Sequence, residues 1–173
     1  MAYSFYDGTV VAARNALDSL SHLLNVAEKQ PNASTLLSAR LYDDMRPLTS
    51  QVHLAAQTID RLLARLDCRD HVPIEDNLAT FEDMRDRIRT AQKALDEADM
   101  ETINRRGDES AHTALTPQLT IDMTGADFAA GASIPNLYFH LSIAYAILRK
   151  EGVPLGKWDY IQGFMNPQLA KAQ

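Results

Sequence analysis

The chain has 173 residues, 46% hydrophobic and 23% charged, which is enough to bury one core and too few for several domains. With 17 Lys and Arg against 23 Asp and Glu the net charge is −6, so the chain lacks the basic stripe that a phosphate backbone requires. No nucleic-acid partner is expected. Cys68 is the single cysteine, which excludes an intrachain disulfide and suits a reducing compartment.

The N-terminal stretch "MAYSFYDGTVVAARNALDSL" has no basic start followed by an apolar run, so no signal peptide is expected. No stretch approaches the roughly 18 consecutive apolar residues of a membrane span. A cytoplasmic protein with no membrane partner is the expectation.

Taken in chain order, residues 6–28 place Val10, Ala13, Leu17, Leu20, Leu24 and Ala27 at alternating spacings of three and four. That predicts an amphipathic helix, stopped by Pro31 and Asn32. A second helix is predicted over 47–68. Pro47 suits its first turn, Asp43 and Asp44 lie near its positive end, and Leu48, Val52, Ala55, Ile59, Leu62 and Leu66 form the stripe. A third is predicted over 75–98, following Pro73, with Leu78, Phe81, Met84, Ile88 and Leu95 inward.

The period then changes. "ETINRRGDES" reads as a polar loop. In "LTPQLTIDM", Leu115, Leu119, Ile121 and Met123 alternate with polar residues, the mark of a half-buried strand. Pro117 limits this region, near 112–124, to a small hairpin. The last long helix is predicted over 127–150, with Ile134, Leu137, Leu141, Ala144 and Leu148 on one stripe, Gly152 as cap and Pro154 preventing resumption.

Four long amphipathic helices with one hairpin before the last predict an all-α four-helix bundle. It is expected as a single domain over residues 1–165, followed by a C-terminal tail, 166–173. Trp158, Tyr160 and Phe164 are expected to clamp back over the bundle end. The alternative is that Lys157 and Asp159 line a pocket mouth.

The blocks "PNLYFH", "AYAILRKEGVPLGKWDY" and the upstream "ARLYDDM", "PL" and "QV" resemble a family of fungal and bacterial proteins known as a domain of unknown function. Some members carry a helix-turn-helix label. That family is grouped by fold with the DinB/YfiT-like bundles. The resemblance implies a site built from the second and last helices. In the metal-binding bundles, three histidines hold a divalent ion there, two of them spaced H-x-x-x-H. Carried over, the last-helix pair falls on Asn136 and His140, and the second-helix position falls near Gln51 or His53.

Catalytic metal sites want three strong ligands and an open position, and neutral amides bind such ions weakly. No bound metal and no cofactor are therefore expected. There is also no glycine-rich phosphate loop, no G-x-S-x-G elbow and no C-x-x-C pair. The expected site is a convergence of Gln51, Asn136 and His140 inside the bundle, with Tyr138, Tyr145 and Arg46 as substrate-binding residues.

His140 would act as general base or acid in isomerase-, cyclase- or lyase-type chemistry on a small molecule of specialised metabolism. Two other readings stay open. One is a non-catalytic binding or stress-related protein whose polar trio is structural, and the other a DinB-like metal-dependent transferase or hydrolase. Pro135 within the helical run, after Gly131, Ala132 and Ser133, is expected either to kink the helix and open a pocket or merely to start it. His53 is expected on the solvated face. Tyr138, Tyr145 and Ile147 offer an apolar face for a homodimer.

Overall fold

The computed structural model describes the backbone of residues 2–116 and 118–171, and the side chains of these except 116 and 166–171. A π-helical turn, Asp7–Val11, runs into α1 (Ala12–Ala27). A single turn, α2 (Ala33–Leu36), leads to α3 (Leu48–Leu66), α4 (Phe81–Asp96) and the short α5 (Met100–Gly107). The antiparallel hairpin β1 (Ser110–Thr116) and β2 (Leu119–Thr124) follows. Then come α6 (Gly125–Phe128), a second π-helical turn (Ala129–Ser133), α7 (Ile134–Lys150) and α8 (Lys157–Lys171).

The core forms where the spacing requires it. The stripe residues of α1 and α3 are all buried, as are Phe81, Met84, Ile88 and Leu95 of α4 and Leu137, Leu141, Ala144 and Leu148 of α7. Helix α3 is buried on two faces, against α7 on one and α4 on the other. Two helices end in the same way. At Cys68 (φ 54°) the Arg69 N–H donates to the Ala64 carbonyl, and at Gly152 (φ 83°) the Val153 N–H donates to the Leu148 carbonyl. A residue in the left-handed region followed by a six-to-one bond turns the chain out of the helix.

Several expectations are corrected. α4 begins at Phe81 and not near 75, because Thr80 accepts from the Asp83 N–H at 3.0 Å while Asp83 accepts from the Thr80 N–H at 2.9 Å. That reciprocal cap defines the helix start, and Leu78 stays in the preceding loop. The polar stretch before the hairpin contains α5, which Asp99 caps by accepting from the Thr102 N–H at 2.8 Å. In the hairpin, Leu119 and Ile121 are exposed, whereas Thr113 is buried and Leu115 and Met123 pack partly buried against the core. Pro117 lies outside the described residues.

The segment after the last stripe is a further helix, α8, packed along α1 and continuing to Lys171 across the expected boundary at 165. Ser19 Oγ donates to the Tyr160 carbonyl at 2.7 Å, and His22 Nε2 contacts Asp159 Oδ1 at 2.8 Å. Tyr160 and Phe164 pack inward as expected, whereas Trp158 is exposed. Among the described residues, no helix is long and apolar enough to cross a membrane.

Candidate functional site at the α3–α7 seam

The run from Gly125 to Lys150 is one helical path with an extra residue inserted ahead of Pro135. Thr124 starts it by accepting from the Asp127 N–H at 3.0 Å. Proline has no N–H to give, and its ring crowds the carbonyl four residues back. The chain accommodates this in the π-helical turn, where the Ile134 N–H reaches back five residues to the Ala129 carbonyl. Bulges of this kind recur at functional sites because they re-aim side chains and free space.

Antiparallel packing of α7 on α3 sets two polar contacts along the seam. His140 Nδ1 lies 2.8 Å from Gln51 Oε1, and both residues are buried. Gln51 Nε2 donates to the Arg46 carbonyl at 2.9 Å. A carbonyl can only accept, so the amide nitrogen must face Arg46 and Oε1 must face the imidazole. His140 therefore carries its proton on Nδ1 and keeps the lone pair on Nε2. Burial pushes the His140 pKa down from 6.5 to about 4, so the ring is neutral at pH 7.

Asn136 departs from the expected trio. It shares the His140 face but bonds a different level of α3, donating from Nδ2 to Thr58 Oγ1 at 2.7 Å. Gln51, Asn136 and His140 are thus one buried pair and one separate contact. Arg46 contributes its carbonyl to Gln51, with an exposed side chain. Tyr138 and Tyr145 lie beneath α8. Tyr138 packs edge-on against Phe164 with centroids 5.8 Å apart, and Tyr145 against Tyr160 at 5.9 Å. Ile147 is fully buried and Tyr138 and Tyr145 are half-buried beneath α8, so little of the apolar surface expected to pair two copies is left exposed.

His53 is also corrected. It is buried, with Arg87 donating to its Nδ1, and burial pushes its pKa down. Two residues along a helix turn the side chain by about 200°, so His53 meets α4 while Gln51 meets α7. The donor set does not fit the three-imidazole site of the metal-binding bundles. The imidazoles of His53 and His140 lie on opposite sides of α3, and the Gln51 oxygen is occupied by the His140 N–H. Among the described residues, no group of three or more His, Cys, Asp or Glu side chains is placed to hold a metal ion.

Where the π-helical turn, β1 and α3 meet there is a pocket of about 230 Å³. Thr58, Arg61, Ser133 and Asn136 give it polar groups, and Leu115, Phe128 and Ala132 give it apolar walls. His140 and Gln51 are not among its lining residues. Asn136 was legible in the sequence. Thr58 and Arg61 carry no motif, and the trace of Arg61 in the sequence is its four-residue spacing from Arg65 along α3.

An all-α bundle with a short hairpin before its final helices and a polar seam between its second and last bundle helices is a DinB/YfiT-like architecture. The chain belongs to the family described as a domain of unknown function, DUF1993, whose model matches residues 5–161. The crystal structure of a DinB family member protein from Shewanella denitrificans, at 1.83 Å resolution, is similar over 90% of this chain and 90% of that one. The two share 31% sequence identity with a TM-score of 0.79. Comparison with curated proteins gave no match.

Proposed function

We propose that this chain is a small-molecule-binding bundle whose ligand occupies the pocket beside Asn136, and that the His140–Gln51 pair is a structural lock between α3 and α7. The observation that carries this reading is the pocket itself. It is a concave, partly apolar space with a few convergent polar groups, placed where a π-helical turn interrupts the last bundle helix.

Proton-transfer chemistry at His140 fits the geometry less well. A ring whose conjugate acid has a pKa of about 4 is a weak base at neutral pH, and it stands apart from the pocket. A buried pair with satisfied hydrogen bonds is the ordinary way to carry polar groups through a core.

Filling the space tests the proposal. Ala132 lines the pocket and is only partly buried, so Ala132→Leu should leave the bundle folded while occupying the cavity. Fragments that bind the wild type in a saturation-transfer NMR screen should lose binding to this variant by about tenfold or more, the cost of displacing well-packed contacts. Retention of all fragment binding in a folded Ala132→Leu variant would place the ligand elsewhere.

A further inference from the structure

We infer that the ligand of this pocket carries an anionic oxygen group, a carboxylate or a phosphate, held by the Arg61 guanidinium; the inference rests on the pocket being the binding site. Arg61 and Arg65 stand one turn apart on α3 and both reach toward the hairpin. Arg65 is committed there. Its Nε donates to Thr113 Oγ1 at 3.3 Å, and its Nη2 to the Glu109 and Met123 carbonyls at 3.0 Å each. Arg61 makes one long bond, from Nη2 to the Ala114 carbonyl at 3.4 Å. A guanidinium has five N–H donors in a planar fork matched to two oxygens of an acid. Among the described residues, Arg61 has no carboxylate partner, so most of that fork is unspent.

Arg61 also stands between two spaces. Besides the 230 Å³ pocket, it lines an adjoining one of about 510 Å³ beneath the hairpin, with Phe128 common to both. The second space is lined by Arg65 and Arg69 against Asp70. Arg69 is paired with Asp60 at 2.8 Å and Asp67 at 3.6 Å, so with Asp70 the second space carries balanced charge, whereas no acidic residue lines the 230 Å³ pocket beside Arg61. A guanidinium without a carboxylate partner at the mouth of a pocket that no acidic residue lines favours an acid over its neutral analogue. Ser133 and Asn136 line the same space, and Phe128 and Leu115 suit an apolar body behind the acidic head.

The test uses three matched probes: benzoate, phenyl phosphate and the neutral benzamide. Each is titrated into isotope-labelled protein while the Ser133 and Asn136 amides are followed. Benzoate or phenyl phosphate is expected to shift these amides, with benzamide at least tenfold weaker. Arg61→Gln should weaken the anion by tenfold or more, and Arg61→Lys should restore part of it. Arg61 is exposed, so both variants should melt like the wild type. The tighter of the two anions tells a carboxylate from a phosphate. Equal binding of benzamide, or an Arg61→Gln variant that binds the anions unchanged, would overturn the anion assignment and leave the pocket standing. If none of the three probes moves these amides but other neutral fragments do, the anion assignment falls alone. If nothing moves them, the binding site falls as well.

Discussion

Lowering the pH from 7 toward 4 destabilises this bundle, and replacing His140 by leucine removes part of that pH dependence. The His140 pKa is depressed in the folded state, from 6.5 to about 4, so between those values the unfolded chain binds the extra proton. Stability therefore rises with pH across that window, is complete above about 6.5, and is lost as the pH falls toward 4. The loss amounts to up to about 3 kcal/mol, and less to the extent that water reaches the ring edge and screens it.

His53 is depressed in the same direction by burial and adds to the same window. The difference between wild type and variant isolates His140. At pH 7, His140→Leu should cost about 1–3 kcal/mol, because the buried Gln51 oxygen loses its donor. That gap should close as the pH falls, since only the wild type has the neutral imidazole at position 140 to protonate, while His53 is common to both. Urea denaturation of both proteins from pH 7 to pH 4 measures it. Parallel curves would mean that His140 is not held neutral by burial.

Gly163→Ala should unseat α8. A Cβ at position 163 would lie 2.4 Å from Ser19 Oγ, 2.5 Å from the Ser19 backbone nitrogen and 2.6 Å from the Asn15 carbonyl oxygen. A side-chain hydroxyl can rotate away, but the backbone of α1 cannot, so the two helices must separate. Overpacking of this kind costs about 1–3 kcal/mol. The direction makes the test sharp, because alanine by itself favours a helix over glycine by about 1 kcal/mol. Separation would also strain the bond from Ser19 to the Tyr160 carbonyl and expose Tyr138 and Tyr145. Lower stability together with faster hydrogen exchange in residues 157–165 is the expected result. A variant as stable as the wild type, with α8 still protected, would contradict the close crossing.

The parts of the fold legible in the sequence are those where burial leaves a periodic mark. The stripes of α1, α3 and α7 are continuous because each helix turns one apolar face to the core, and Gly152 marked its helix end because only the left-handed conformation closes that turn. The start of α4 was written as Thr80 three residues before Asp83, but Pro73 drew the boundary upstream. α8 is faint because it meets α1 through a glycine, and α5 because Ile103 is its single buried apolar side chain.

The site divides in the same way. Gln51 and His140, 89 positions apart, come together as the family resemblance implies. Asn136 lies one turn away from His140, and a turn along α7 is enough to change its partner to Thr58. His53 was misplaced because α3 is buried on two faces, so a residue off one stripe falls on another. The pocket has no motif at all. It lies beside the extra residue of the π-helical turn, which no regular period encodes, although Pro135 inside a helical run signalled the irregularity.

The claim that joins these observations is a division of labour along the α3–α7 seam, with a ligand beside Asn136 and a structural pair at His140 and Gln51. Backbone-amide NMR of isotope-labelled protein, titrated with fragments that bind it, tests this most directly. Shifts concentrated at the amides of Thr58, Arg61, residues 132–134 and Asn136, with Gln51 and His140 unmoved, are the predicted result. Shifts centred on Gln51 and His140, with the residues around Asn136 silent, would contradict it.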